Sequence, residues 1–329
     1  MSTLTWHSIP LESMRLVFRA DASGQLGSGH VMRLSAIAEE AIGRGIDSIF
    51  VGRVQEVDWL QKRIDQIGFS QTTVPENFVS RNEFDILVLD SYDIKLEEGF
   101  IQPSGWKKIV VVADDLTPEY LADLIIHPGL EDSWFKGDRS RFLSGPRYMP
   151  LRKTIRRVEY RCHDVIRKIV VFGGGTDPFR FAEQMAKALR DEPGFASVIF
   201  FSDADKEIKS LDSRYNTTDF GPHLDSEIDS ADLIFTTAST SSLEVLARGL
   251  PLGVGCSIEN QLGYFKSLDK LRIATLIGER ITTGNWELDM KAIRALISKA
   301  ELRDRQVIRA SGLVDLHGAS RILDAITDL

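Results

Sequence analysis

The chain has 329 residues, 43% hydrophobic and 27% charged, with a formal net charge of −8. That is an ordinary globular composition, long enough for two domains that each bury a core. Its acidity argues against a nucleic-acid partner.

Two cysteines, Cys162 and Cys256, stand far apart and in no metal-ligand or redox spacing, so reduced thiols in a cytoplasmic protein are expected. No apolar run approaches the roughly 20 residues that span a bilayer. The opening "MSTLTWHSIPLESMR" lacks the basic start and apolar core of a signal peptide, and residues 1–13 read as a short extension. No repeat of about 20–50 residues and no low-complexity segment is seen.

The first strand is "RLVFRA" (15–20). In 30–45 the apolar residues Val31, Leu34, Ile37, Ala38, Ala41 and Ile42 recur at three and four, predicting a helix with one buried face that Gly45 stops. A strand at 47–52 and a helix at 58–68 follow, then buried strands at 84–90, 107–115 and 122–128. Continuous apolar strands alternating with helices predict a parallel sheet covered on both faces.

A basic stretch, 152–168, reads as a solvated connector, since Glu159 and Asp164 break its charge. The pattern then restarts. Strands are predicted at the start of "KIVVFGGGTDPF" (168–179) and at 197–202, 231–239, 251–256 and 273–278. Helices are predicted at 179–191, 240–248, 260–270, 289–299, 301–311 and 317–328. The expectation is an α/β protein of two Rossmann-like doubly wound domains, 1–153 and 154–329, facing a cleft. Ligands in such sheets bind at the carboxyl ends of the strands.

The first strand–helix turn, "RADASGQLGSGHVMR" (19–33), is glycine-rich, but it does not fit a dinucleotide site. Met32 takes the place of the third glycine, and Gly52 and Arg53 stand where the ribose-binding acid belongs. Gly24, Gly27 and Gly29 let the backbone turn and come close to a ligand. His30 follows at the helix start, where the dipole disfavours the imidazolium and leaves a neutral ring suited to general-base work. A histidine that merely caps or packs is the competing reading.

The second glycine-rich turn, Gly173, Gly174, Gly175 and Thr176, opens a helix and suits a pyrophosphate. A tight structural turn is its alternative. The hydroxyl-rich turn Ser239, Thr240, Ser241 fits phosphate oxygens, and Glu244 one turn later fits the two hydroxyls of a ribose. A capping box from Thr240 or Ser241 to Glu244 competes. Glu259, Asn260 and Gln261 open a further helix at a strand end, as cleft polar groups or as caps.

Asp114 and Asp115 end a buried strand, where one can orient His30 or bind a sugar hydroxyl. Asp90 and Tyr92 end another, and strand-end capping is equally open for these four. The D-x-D of "SDAD" (202–205) most simply caps a helix from 204 and is not read as a metal site. No zinc spacing and no nucleophile elbow appears.

Together these motifs resemble the UDP-2,4-diacetamido-2,4,6-trideoxy-β-L-altropyranose hydrolase family of pseudaminic acid biosynthesis, related in fold to the GT-B glycosyltransferase that makes lipid II. The likeness rests on Arg19, Asp21, Gly27, Gly29, His30 and Arg33, on Asp90 with Tyr92, and on Asp114 with Asp115. It continues through Tyr148 to Arg152, Gly174 to Asp177, the turn with Glu244, and Asn260 with Gln261.

The resemblance implies that UDP is bound by the second domain and the sugar by the first. It implies that His30 activates water for inverting attack at the anomeric carbon, assisted by Tyr92 and Asp114. Arg19, Asp21, Gly27, Gly29, Arg33, Asp115 and Arg152 are then sugar-side contacts. It implies no metal and no organic cofactor. The expected partner is the UDP-sugar, with no nucleic acid and no membrane span, peripheral membrane association staying open, and a monomer is expected. The chain departs from the family at "KTI" (153–155), at "HPGLED" (127–132) and in its extra glycine in the second loop.

Two other functions remain open at this level. One is an inverting GT-B glycosyltransferase in which an alcohol replaces water. The other is a non-catalytic nucleotide-sugar-binding protein.

Overall fold

The computed structural model describes residues 14–72, 83–91, 105–114, 122–133, 135–221, 223–281 and 284–329. The chain forms two compact units. Unit 1 holds Met1–Leu26, His30–Lys153 and His317–Leu329, and unit 2 holds Gly27–Gly29 and Thr154–Leu316.

In unit 1 the elements are β1 (Arg15–Arg19), α1 (Gly29–Gly43), β2 (Asp47–Val51), α2 (Asp58–Ile67), β3 (Ser70–Thr72), β4 (Asp85–Leu89), β5 (Lys108–Val112), β6 (Leu124–His127) and β7 (Phe142–Ser144). The sheet order is β3-β2-β1-β4-β5-β6-β7, with every pairing parallel.

Side chains alternate across the sheet. Leu16, Phe18, Ile86, Val88, Val110 and Val112 face one core, shared with Leu34 and Ile37 of α1 and Leu60 and Ile64 of α2. Leu87, Leu89, Ile109 and Val111 face the other. α2 ends at Gly68, whose φ of 86° is the left-handed C-cap a side chain resists. α1 departs from a one-faced helix: every residue from His30 to Ala38 is buried, polar ones included.

Unit 2 repeats the plan with β8 (Ile166–Phe172), α3 (Phe181–Leu189), β9 (Phe195–Phe201), α4 (Asp205–Lys209), β10 (Tyr215–Thr218), α5 (Leu224–Asp229), β11 (Leu233–Thr237), α6 (Thr240–Arg248), β12 (Leu252–Cys256), α7 (Leu262–Leu271), β13 (Thr275–Arg280), β14 (Trp286–Leu288), α8 (Met290–Ser298) and α9 (Ala300–Ala310). Its order is β10-β9-β8-β11-β12-β13-β14, parallel except for the antiparallel edge strand β14. Ile169, Val171, Phe200 and Phe235 pack against Phe181, Met185 and Leu189 of α3 and Leu296 of α8.

The last helix, α10 (Gly318–Thr327), belongs to unit 1, so the chain does not divide once at 153. Ile322, Leu323 and Ile326 enter the core that α1 and α2 share. Arg44 at the end of α1 holds it by a hydrogen bond to Ser320 and an ion pair with Asp324, 2.5 Å.

Candidate functional site

Both sheets place their topological switch point between their first and fourth strands, β1 with β4 and β8 with β11. The carboxyl ends of those strands are where doubly wound folds take ligands.

In unit 1 the loop after β1 is braced from within. Arg19 makes a two-point bond to Asp21, 2.5 and 2.8 Å, and Asp21 also accepts the Arg53 N–H at 2.8 Å. Burial pushes the Asp21 carboxyl up, but the Arg19 and Arg53 hydrogen bonds and charges outweigh it and hold it below its usual value. Gly52 shows why no side chain stands at that position after β2. A Cβ there would lie 1.8 Å from the Ala20 carbonyl oxygen, so the two strand ends touch through backbone. Gly27, at φ 82°, makes the turn into α1, which starts at Gly29.

His30 and Arg33 lie one turn apart on α1 and share a face. Asp90 directly follows β4, and Asp114 lies two residues beyond β5. Asp90, 1% exposed, is the centre of the cluster. Its Oδ1 lies 2.6 Å from His30 Nδ1 and 2.8 Å from Arg33 Nη2, and its Oδ2 lies 2.8 Å from Arg33 Nε. Arg33 Nη1 donates to Asp114, whose side chain is 34% exposed.

A carboxylate is an acceptor only, so this geometry suits hydrogen on His30 Nδ1 and the ring's lone pair on Nε2. Burial opposes the Arg33 charge, but Asp114 and Asp90 raise its pKa well above the ordinary arginine value.

Asp90 thus contacts the His30 ring directly. Arg33 is 4% exposed and is engaged by two carboxylates of the protein itself, Asp90 and Asp114. Tyr92 and Asp115 lie outside the described residues. Arg152 is half-buried on the segment that leaves the unit.

In unit 2 the glycine-rich turn after β8 is closed by a side chain that sequence reading left unassigned. Asp177 accepts from the backbone N–H of Phe181 at 2.8 Å and of Ala182 at 2.9 Å. Its own φ is 45°. Gly173 is required by this closure, because a Cβ there would stand 1.9 Å from Asp177 Oδ1. Burial pushes the Asp177 carboxyl up to about 7; the two backbone N–H groups pull against it, and Glu183 and Asp203 add to it. Two N–H groups at the α3 N-terminus, where an anion would sit, are thus taken by the protein's own carboxyl. Gly174 (φ 106°), Gly175 and Thr176 are half-buried beside it.

The α6 N-terminus differs. Ser239 at its N-cap is extended and makes no side-chain cap bond. Ser239, Thr240 and Ser241 are half-buried, as is Glu244. Behind them the buried Ser242 hydroxyl donates to the Ser239 carbonyl at 2.7 Å and lies 2.7 Å from the Tyr264 hydroxyl. Thr237 Oγ1 donates to the Gly173 carbonyl at 3.3 Å, tying the two turns together. After β12, Glu259 and Asn260 are exposed, while Gln261 turns back to accept the Ser257 N–H at 3.0 Å. In "SDAD" the N–H of Ala204 is accepted by Ser202 Oγ, and Asp205 pairs with Lys209.

No protein-family model matches this chain, and no curated protein matches it by sequence. Solved structures match it over nearly its full length. MurG of Acinetobacter baumannii aligns with a TM-score of 0.67 at 11% identity, over 96% of this chain and 100% of that one. The glycotransferase of kitacinnamycin gives 0.65 at 14%, over 95% and 98%. A UDP-N-acetylglucosamine 2-epimerase gives 0.60 at 12%, over 95% and 96%. The chain has the GT-B fold of such enzymes, α/β with two doubly wound domains. Among the described residues no helix is long and apolar enough to cross a membrane.

Proposed function

We propose that the protein hydrolyses a UDP-activated amino or deoxy sugar to free sugar and UDP, with inversion at the anomeric carbon. The observation that carries this reading is the buried His30–Asp90 pair at the unit 1 switch point, 2.6 Å apart, which gives His30 the tautomer of a general base. The water oxygen forms the new bond to the anomeric carbon while its proton passes to His30 Nε2. The bond from that carbon to the phosphate oxygen breaks, and UDP leaves with the electron pair.

UDP is a good leaving group, so a positioned base and donors to the departing phosphate suffice. In this reading unit 2 holds UDP. The α6 turn Ser239–Ser241 takes the larger share of the diphosphate, because Asp177 already occupies the α3 end. Gly173–Thr176 line that subsite, Glu244 binds the ribose, and Glu259, Asn260 and Gln261 complete it. Unit 1 supplies the base, assisted by Tyr92 and Asp114, and the sugar contacts Arg19, Asp21, Asp115 and Arg152, with Gly27 and Gly29 shaping the turn that leads to His30. The UDP-N-acetylglucosamine 2-epimerase among the structural matches, named for a UDP-amino sugar, supports this substrate class.

The test is incubation with UDP-activated diacetamido sugars and no acceptor, following UDP release and the anomeric proton of the first sugar formed. Stoichiometric UDP and free sugar of inverted configuration are expected. UDP release only after an alcohol is added would make the protein a glycosyltransferase instead.

A further inference from the structure

A buried guanidinium beside a histidine–aspartate pair is costly unless it does something for the pair. Arg33 reaches both oxygens of Asp90 and then Asp114. Its Nη2 also lies 3.2 Å from His30 Nδ1. A cationic donor cannot donate to a nitrogen that itself carries a hydrogen, so that approach is no bond. It follows from two donors sharing one acceptor, Asp90 Oδ1.

The charges explain what this arrangement selects. With His30 neutral, Arg33 stands between two carboxylates, one fully buried and one partly exposed. Without the guanidinium, the Asp90 carboxylate would keep, among the described residues, only its side-chain contact to His30. It could then turn out of the plane of the ring, and the ring hydrogen would no longer be held on Nδ1, leaving the Nε2 lone pair a base needs unsecured. The two-point bond also fixes the plane of the carboxylate, whose terminal torsion is otherwise broad.

We propose that Arg33 is a positioning residue that acts through Asp90. It holds both oxygens of that carboxylate in plane, and so holds His30 as the Nδ1–H tautomer. It does not bind substrate. The proposal rests on the reading of His30 as the general base, but its structural half can be tested without any turnover.

The experiment compares wild type with Arg33→Met, Arg33→Gln and Arg33→Lys, using protein labelled with 15N in its histidine rings. Folding is checked by circular dichroism and by binding of UDP, and Arg33→Gln serves if Arg33→Met does not fold. Wild type is expected to show the His30 ring with hydrogen on Nδ1. The Met and Gln variants should move signal toward the Nε2–H form, and Lys, which keeps the charge, should restore the wild-type pattern.

With a UDP-sugar that wild type hydrolyses, kcat in the Met or Gln variant should fall about 10²-fold or more, the scale of a lost general base. KM and UDP affinity should stay within about threefold, and Arg33→Lys should recover much of kcat. An unchanged ring tautomer in the neutral variants overturns the proposal. So does a raised KM at unchanged kcat, which would make Arg33 a substrate contact. Expected ring signals in a wild type that hydrolyses no UDP-sugar would leave the Arg33–Asp90–His30 arrangement standing and overturn the hydrolase reading alone.

Discussion

Asp90 holds His30 by a single short contact, 2.6 Å from Oδ1 to Nδ1, between the end of one strand and the start of a helix that follows another. β1 and β4 are neighbours in the sheet, so the two groups meet although 60 positions separate them. Replacing Asp90 by Asn keeps the size but lets the side chain donate to the ring. Asp90→Asn is expected to lower kcat by roughly 10²–10⁴-fold, as is His30→Ala. UDP affinity should be retained in both. Near-normal turnover in either variant, measured as UDP release, would remove the pair from the chemistry.

Asp177 gives the fold a definite pH response. Its carboxyl is raised to about 7 in the folded chain, from an ordinary value of 3.8. The folded state therefore binds the extra proton, and stability contributed by this group is complete below pH about 4 and is lost as pH rises through about 7. Asp177→Asn removes that slope. Urea midpoints at pH 5 and pH 8 should show the variant gaining on wild type at the higher pH. A constant difference between the two proteins would mean the carboxyl does not titrate there.

Gly52 tests the backbone approach of β1 and β2. A methyl group at this position meets the Ala20 carbonyl oxygen at 1.8 Å and the Phe50 ring at 2.9 Å. Neither the carbonyl nor the buried ring can move aside without disturbing the sheet. Gly52→Ala is expected to destabilise unit 1 by about 1–3 kcal/mol or more, the usual cost of overpacking. Thermal unfolding with an unshifted midpoint would contradict the close approach.

The last helix should matter to the first unit. Leu323 is fully buried in the core that contains Leu34, Ile37 and Ile64. Leu323→Ala is expected to cost about 2–5 kcal/mol. Hydrogen exchange should show the loss in the β1 and β4 amides and spare those of β8 and β11. Loss of protection confined to β8 and β11 would place α10 with the other unit.

Much of this architecture can be read along the chain, because a parallel strand covered on both faces is a near-continuous apolar run. "DILVL" and "KIVVV" are apolar after their first residue, and a glycine such as Gly68 ends its helix by a local backbone requirement. The short strands β3, β7, β10 and β14 carry no such signal. Sequences such as "SQT" and "YNTT" become strands only because a neighbour offers its edge.

The candidate site divides in the same way. His30 can be found by its place after a glycine-rich turn, and Ser239–Ser241 by theirs before a helix. That Asp90 meets the ring could be found only from strand order, since Asp90 and Asp114 follow equally apolar strands. Asp177 and Arg33 stand in motifs the sequence shows, but their roles at the α3 end and as a buried brace come only from their partners in space.

The sequence by itself determined the two α/β repeats, the turns that carry the polar groups, and His30 as the one histidine set in a glycine-rich loop. Tertiary structure alone decided which carboxylate each cation faces and where the last helix packs. Periodicity is a property of neighbouring residues and is written in the chain. A hydrogen-bond partner is a property of distance in space, fixed only when β1, β4 and β5 lie side by side.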